Sequence, residues 1–454
     1  IISHAHVHTH THTQHHTTPE FPIHAHPHGR TCECDRRSHQ DSPRPPYLHI
    51  YLHTSIYTSI PPYIPPYIPP YLHTHLPPVL SYIYVSSYTT GTYTAAPRPT
   101  PQPQPLPHPQ LHLLFNSSHT HTGPVIWPCL DVVYELAPDA QRQIAAYRRK
   151  LTEALVGIID KALGDMSPAK MYFGRGSAGF AINRRGAINP NGPIDHEVPV
   201  VKITSPSGEL RALLFGYACH NTTVEDEFHY VNGDYTGYAM EELEKAHPGA
   251  TALFMTGCAG DQNPEPRGKL AQAKDHGAEL ARSVNAVLDR PMIEVHGPVR
   301  TARTEVELPF APVDPLVYQK DILGDNIYKQ RRAKLMLQAY NKGWKVDSYK
   351  YPIQVVRFGK DLTILGLADE VVVDYSLWNK KRYAGENLFV AGYCNQVNCY
   401  IPTKRLLKEG GYEPDESMIY YGFPGSYKPE VEDIIMSRID FVMKAVGVRS
   451  SGKY

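Results

Sequence analysis

Proline recurs with a short, fixed period in the first quarter of the chain. Residues 61–71 read PPYIPPYIPPY, and residues 97–109 place Pro at every second position. Because proline lacks a backbone N–H and fixes φ, such sequence cannot form a helix or a central strand. The Pro-rich stretches are therefore expected to be extended, polyproline-like or disordered.

The same segment has an unusual composition. Residues 1–112 contain 21 of the 42 prolines and 17 of the 25 histidines, and no Lys. Three interpretations of residues 1–110 stay open. The segment is a disordered tail, or an artefact in which repetitive DNA has been translated, or a His-rich tail that binds zinc or nickel weakly. A positive start followed by an apolar core is absent, so no signal peptide is predicted and no localisation is assigned.

The overall charge excludes some classes of protein. Lys plus Arg and Asp plus Glu both number 45, which gives a formal net charge of zero. A general nucleic-acid binder would carry a basic excess, so no nucleic-acid partner is expected. A run of about 18 apolar residues is missing, so no transmembrane segment is predicted. Peripheral membrane contact and the oligomeric state stay open.

From about residue 111 the composition is that of a globular protein, and we place one domain at 111–447 and a short tail at 448–454. Apolar periodicity and turn residues predict helices at 138–164, 234–246, 267–289 and 429–446, strands at 198–204, 210–217 and 251–255, and a hairpin of 353–358 with 362–367. Mixed strands and helices predict an α/β (mixed α+β) fold, with a buried mixed β-sheet flanked by helices.

The seven cysteines include no pair with CxxC spacing, so a cysteine-based zinc site is not expected. Cys394 and Cys399 are close in sequence. They form either a local disulfide or two buried free thiols.

Two segments carry histidines that suit metal binding. In Ser118-His119-Thr120-His121-Thr122-Gly123-Pro124, two histidines two residues apart point to the same face of an extended chain. His220 directly follows an apolar strand, where a ligand would be held rigidly. The alternative for His220 is a hydrogen-bonded histidine at a strand end, without a metal.

Three further positions complete the candidate set. The turn 256–264 holds Asp261 among small residues, and this carboxylate either orients a histidine or accepts a proton, or only caps the turn. Glu370 closes the strand of the late hairpin, and Tyr400 follows a turn. Taken singly, a Glu or a Tyr of this kind is more often structural.

Together and in this order, these segments resemble the catalytic domain of the neutral/alkaline (non-lysosomal) ceramidase family, over about 111–447. The resemblance implies one zinc ion, bound by His119, His220, Glu370 and Tyr400. It also implies that His121 lies beside the metal, and that Arg184, in Ala181-Ile182-Asn183-Arg184, holds the substrate carbonyl. The implied activity is hydrolysis of the C–N amide bond of an N-acyl (sphingo)lipid or a related small molecule.

Two departures from the family pattern bear on this expectation. Asn263 stands where the family has its nucleophilic Ser, and an Asn side chain cannot attack a carbonyl as Ser does. Attack by a metal-activated water is therefore expected, with Asp261 and Asn263 in the catalytic loop. The family also has β-structure before the first motif, where this chain has its His/Pro segment, so the first strands of the domain are expected to be missing.

Two other functions remain open at this point. The chain is alternatively a non-catalytic metal-binding homologue, because the nucleophile is replaced. It is otherwise a His/Pro-rich interaction protein whose front segment carries the function.

Overall fold

The computed structural model describes residues 49–54, 80–86, 113–126, 130, 132–225, 228 and 230–452. These residues belong to one compact unit, Tyr47–Tyr454. The Pro repeats of residues 61–71 and 97–109 fall outside the described residues, so their interpretation stays a prediction.

The strands in chain order are β1 (His49–Thr54), β2 (Leu80–Ser86), β3 (Leu113–Ser117), β4 (Lys170–Ser177), β5 (Ala181–Asn183), β6 (Glu197–Thr204), β7 (Leu210–Tyr217), β8 (Thr251–Thr256), β9 (Gln262–Pro264), β10 (Ile293–Val295), β11 (Val299–Pro309), β12 (Ser348–Phe358), β13 (Leu362–Leu367), β14 (Glu370–Val371), β15 (Leu388–Ala391) and β16 (Tyr400–Ile401). The helices are α1 (Pro138–Gly164), α2 (Asp234–Ala246), α3 (Leu270–Leu288), α4 (Pro315–Ile322), α5 (Ile327–Asn341), α6 (Asp374–Arg382), α7 (Lys404–Glu409), α8 (Ser417–Tyr420) and α9 (Glu430–Ala445). A π-helical turn, Tyr412–Glu416, precedes α8.

The strands form two main sheets. One has the order β10-β4-β6-β7-β8 and the other β11-β12-β13-β15. Neighbours are antiparallel except β7 with β8 and β13 with β15, which are parallel. A parallel neighbour needs a crossover connection. Here α2 lies in the connection from β7 to β8, and α6 in that from β13 to β15.

The two sheets face each other across a shared apolar layer. That layer joins side chains of the first sheet, such as Phe173 and Leu253, to side chains of the second, such as Ile364 and Phe389. The outer face of the first sheet packs on α2 and α3. The outer face of the second packs on α9. The result is four layers, helix–sheet–sheet–helix, in which the facing sides of the two sheets form a buried core.

The predicted α/β class is confirmed, with two stacked sheets where one was expected. The predicted helix 138–164 has the observed bounds of α1, and the predicted strands 198–204 and 210–217 match β6 and β7 within one residue. The helix predicted from residue 267 begins later, at Leu270, and β12 begins earlier, at Ser348. The four described cysteines are buried and free, Cys394 and Cys399 among them, which confirms the free-thiol alternative.

A smaller sheet of order β1-β2-β3 continues upstream of the domain start that the sequence predicts. Its strands run antiparallel, with Ile83 opposite Leu114. One strand from the front segment, β2, thus pairs with the first strand of the globular part, and β1 pairs with β2. The division of the chain at residue 110 stays a prediction.

Candidate metal centre

The His119–His121 segment is fixed by β3, which lies between the ends of the two main sheets. The Asn116 side chain donates to the carbonyl of Gly392 at 2.7 Å and accepts from the backbone N–H of Thr256 at 2.9 Å. The chain then turns sharply at His119, which has φ of 56°. A left-handed φ is uncommon for a residue with a Cβ, and such strain is concentrated at functional sites.

His220 lies just beyond the end of β7 and is completely buried. Its Nδ1 lies 2.7 Å from the carbonyl oxygen of Ala259 and 3.0 Å from that of Gln262. Since carbonyl oxygens only accept hydrogen bonds, Nδ1 carries the proton. In the neutral ring, Nε2 then presents a lone pair to the site.

Glu370 and Tyr400 come from two short parallel strands, β14 and β16, in which they are directly opposite each other. Glu370 is 1% exposed. The preceding residue, Asp369, has φ of 61° and accepts hydrogen bonds from the backbone N–H of Asn398 and from the Tyr349 hydroxyl. These contacts tie the Glu370 strand to the loop that leads to Tyr400.

The structure brings the four predicted ligands together. Oε2 of Glu370 lies 3.0 Å from Nε2 of His220 and 3.2 Å from Nε2 of His119. The Tyr400 hydroxyl lies 3.4 Å from Nε2 of His220. His121 adds its Nε2 at 3.1 Å from that of His119. The donor atoms of the three histidines all lie within 4.8 Å of one another.

Burial shapes the charge states in this site. It lowers the pKa of His220, and it lowers the pKa of His121 well below its usual value, with His119 adding to the effect. Burial also raises the pKa of the Tyr400 hydroxyl well above its usual value, against the effect of Arg184.

These residues fit a divalent cation on chemical grounds. Nε2 of neutral His220 and Oε2 of ionised Glu370 are both acceptors, and they face each other at 3.0 Å in a buried site. Two facing acceptors repel unless a cation lies between them. Imidazole and carboxylate ligands suit Zn²⁺, and a backbone carbonyl on the other ring nitrogen is the usual support for a ligating His.

Arg184 lies beside this cluster. Its guanidinium carbon is 5.1 Å from the centroid of the Tyr400 ring and 5.5 Å from that of Tyr412. Its Nε donates to Oε1 of Glu413 at 2.8 Å, and Arg185 donates to Oε2 of the same carboxylate. Nη2 of Arg184 is buried and has no hydrogen-bond partner among the residues that the structure describes. The guanidinium is thus held at Nε, and within those residues its Nη2 is free to donate.

Asp261 lies in the turn after β8, and Asn263 lies in the short strand β9 that follows it. The Asp261 carboxylate accepts from the backbone N–H of Val373 and from Nδ2 of Asn183, both at 2.9 Å. The Asp261 side chain therefore links its own turn to Asn183 in β5 and to Val373 before α6. His220 is instead oriented by backbone carbonyls on either side of Asp261. Asn263 is opposite Ile182 in the β5–β9 pair, and its buried Oδ1 has no hydrogen-bond partner within the ranges that the structure describes.

Sequence reasoning missed two residues that bear on the site. The Tyr421 hydroxyl donates to Oε1 of Glu370, and the Tyr393 ring lies 4.9 Å from that of His119. Tyr421 is 51 positions from Glu370. No local pattern distinguishes it from the adjacent Tyr420, so the contact is visible only in three dimensions.

Comparison with curated proteins finds neutral ceramidases. The chain is 26% identical to neutral ceramidase of Mycobacterium tuberculosis over 178 residues, and 26% identical to neutral ceramidase A of Dictyostelium discoideum over 180 residues. Each match takes in 35% of this chain, but only 27% and 24% of the relatives. The chain thus spans about a quarter of the length of the curated relatives it matches. No family model matches.

Solved structures extend the likeness to most of the chain. A crystal structure of neutral ceramidase from Pseudomonas aeruginosa superimposes with a TM-score of 0.60, at 15% identity, over 90% of this chain and 76% of that one. A ceramidase structure described as complexed with C2 gives a TM-score of 0.58 at 14% identity. At these identities, the structural likeness shows the fold. Among the described residues, no helix has the length and apolarity needed to cross a membrane.

Proposed function

Because the chain resembles the neutral ceramidases in sequence and has their fold, we propose that it is a zinc-dependent hydrolase. It cleaves the C–N amide bond of an N-acyl lipid or a related small molecule. The observation that carries this proposal is the facing pair of buried acceptors, Nε2 of His220 and Oε2 of Glu370, 3.0 Å apart. One Zn²⁺ held by His119, His220, Glu370 and Tyr400 would supply a Lewis acid that polarises the amide carbonyl and activates water.

Arg184 is the group that binds the substrate carbonyl in this proposal. Its Nη2 has no hydrogen-bond partner in the described part of the chain, and its Nε is fixed by Glu413. Negative charge develops on the carbonyl oxygen as the amide carbon becomes tetrahedral. A preorganised cation that lowers the energy of this charge costs no reorganisation during the reaction. Arg184 therefore stabilises the transition state more than the bound substrate.

His121 moves the proton in this proposal. Its Nε2 lies 3.1 Å from that of His119, within the group of three site histidines. Burial lowers its pKa, so the ring is neutral and has a free nitrogen that can accept a proton from water. Amide cleavage needs the same proton on the departing nitrogen, since an amide anion is a poor leaving group. A histidine beside the metal ligands can make both transfers.

Asn263 leaves attack by water as the route that this chain can use. Its amide is no nucleophile, and its unpartnered Oδ1 can accept a hydrogen bond from a substrate or a water molecule. The Asp261 carboxylate, engaged with Val373 and Asn183, keeps the loop that carries Asn263 in place. We therefore assign Asp261 to positioning and Asn263 to contact with the substrate.

The proposal is tested by assaying a fluorescent N-acyl amide substrate with the full chain loaded with zinc. Hydrolysis that is abolished in both His220→Ala and Glu370→Gln supports the proposal. Zinc binding without hydrolysis of N-acyl substrates would instead support the non-catalytic metal-binding homologue, which the Asn263 replacement favours. Tight zinc binding that survives both substitutions would place the metal elsewhere in the chain.

A further inference from the structure

Glu370 has two carboxylate oxygens, and the structure gives them different partners. Oε2 faces Nε2 of His119 and Nε2 of His220, at 3.2 and 3.0 Å. Oε1 accepts a hydrogen bond from the Tyr421 hydroxyl. The carboxylate is 1% exposed, so water does not compete for either oxygen. One oxygen is therefore free for a cation, and the other is held by the protein.

Tyr421 is itself held on a rigid element. It directly follows α8, and its backbone N–H donates to the carbonyl of Ser417 at 3.3 Å. The chain then turns at Gly422, with φ of 70°, and the N–H of Phe423 donates to the carbonyl of Met418 at 2.9 Å. Met418 and Phe423 are both buried in the core beneath the second sheet. The hydroxyl thus cannot follow the carboxylate if the latter rotates.

We infer that Tyr421 is a positioning residue for the metal centre, which fixes the Glu370 carboxylate so that Oε2 stays directed at His119 and His220. This inference rests on the proposed function, because it assigns Tyr421 a role toward the zinc ion that Glu370 would hold. Without the hydroxyl, the carboxylate can rotate about its terminal bond and loses the fixed direction of Oε2. Partners that orient a ligating carboxylate typically contribute about 10- to 100-fold in metal affinity.

The test compares zinc affinities of the full chain in the wild type, in Tyr421→Phe and in the matched control Tyr420→Phe. Tyr420 is adjacent in sequence, but its ring contacts Tyr328 and Tyr412. Competition with a chromophoric chelator measures the affinity for zinc alone. We expect Tyr421→Phe to bind zinc about 10- to 100-fold more weakly, and Tyr420→Phe to match the wild type.

A double-substitution cycle separates positioning from a general structural effect. If Tyr421 acts through Glu370, Tyr421→Phe should have little further effect on zinc affinity in a Glu370→Asp background, because the shorter side chain keeps a carboxylate ligand but withdraws it from the Tyr421 hydroxyl. Circular dichroism of the zinc-free proteins checks that each variant is folded. Should Tyr421→Phe fold poorly, Tyr421→Met removes the same donor with a flexible side chain.

Each outcome decides the inference. Unchanged affinity in Tyr421→Phe, or an equal loss in the wild-type and Glu370→Asp backgrounds, overturns it while the proposed function stands. A wild-type chain that binds no zinc overturns both. If zinc binding depends on Tyr421 but the chain hydrolyses no N-acyl substrate, the proposed function is contradicted and the inference about Tyr421 stands.

Discussion

The guanidinium carbon of Arg184 lies 5.1 Å from the centroid of the Tyr400 ring. The same side chain is anchored at Nε by Glu413, and its Nη2 has no hydrogen-bond partner among the described residues. This arrangement needs a planar group that donates in two directions beside an aromatic ring. A lysine ammonium offers a point charge and cannot do both.

Arg184→Lys should therefore retain zinc but lose transition-state stabilisation. Removal of one oxyanion donor typically lowers kcat by about 10²- to 10³-fold, and we predict a loss of about 100-fold here. Steady-state hydrolysis together with the zinc content of the variant checks this. Arg175→Lys, in a partly exposed pair with Glu197, is the matched control. Equal kcat in Arg184→Lys and the wild type would remove Arg184 from the mechanism.

Asn263→Ser should preserve activity. The Oδ1 of Asn263 has no partner, so the substitution breaks no hydrogen bond of that atom within the described part of the chain. The new hydroxyl also restores the nucleophile that the family resemblance implies, so turnover of ceramide should rise. Parallel assays of Asn263→Ser and Asn263→Ala with ceramide distinguish the added hydroxyl from the lost amide. Complete loss of activity in Asn263→Ser would show that the amide has a specific catalytic role.

Glu413→Gln should destabilise the fold. The Glu413 carboxylate is shared by Arg184 and Arg185, and the Arg185 side chain is 2% exposed. Removing one partner of a buried ion pair leaves the other charge uncompensated, at a cost of about 3 kcal/mol. Urea unfolding measures the free energy of unfolding. Asp433→Asn, which removes an exposed partner of Lys404, should cost less than about 1 kcal/mol. Similar small effects in both variants would contradict the assigned role of Glu413.

Asp261 should make stability depend on pH. Burial raises its pKa from 3.8 to about 6. The folded state therefore binds the Asp261 proton more tightly than the unfolded chain. Its contribution to the free energy of unfolding is largest below about 4 and decreases as pH rises to about 6.

Urea unfolding of metal-free wild type and Asp261→Asn at pH 4 to 7 tests this. The difference in free energy of unfolding, wild type minus variant, should fall as pH rises through that window, by about 3 kcal/mol for a shift of about two pKa units. A difference that stays constant, or that grows with pH, would show that Asp261 titrates normally.

Sequence periodicity was sufficient for elements whose apolar residues face one core. Helix α1 and the pair β6–β7 carry regular apolar spacing and were predicted within one residue. Strand β11 was missed because charged and polar side chains alternate along it, in VRTARTEVELP, and few of them are buried. Its 11 residues are held by antiparallel pairing with β12, which no local pattern reports.

The candidate site likewise contains some residues that the sequence predicts and others that only the folded structure reveals. His119, His220, Glu370 and Tyr400 were found because each lies in a short motif, and the motifs occur in the order of a known family. Their convergence depends on Asn116, which ties β3 to the ends of β8 and β15. Contacts such as Tyr421 with Glu370 depend on chain positions that only the packed sheets bring together. The roles of Tyr421 and Glu413 therefore could not be predicted from sequence.

The most direct test of the metal centre is the zinc content of the purified full chain after dialysis against a chelator. Dialysis would remove any zinc that the front histidines bind weakly. We expect one zinc ion per chain, lost in both His220→Ala and Glu370→Gln, and retained when an exposed histidine outside the site is changed in His296→Ala. A wild-type chain without zinc, or zinc retained in both site variants, would contradict the proposed metal centre.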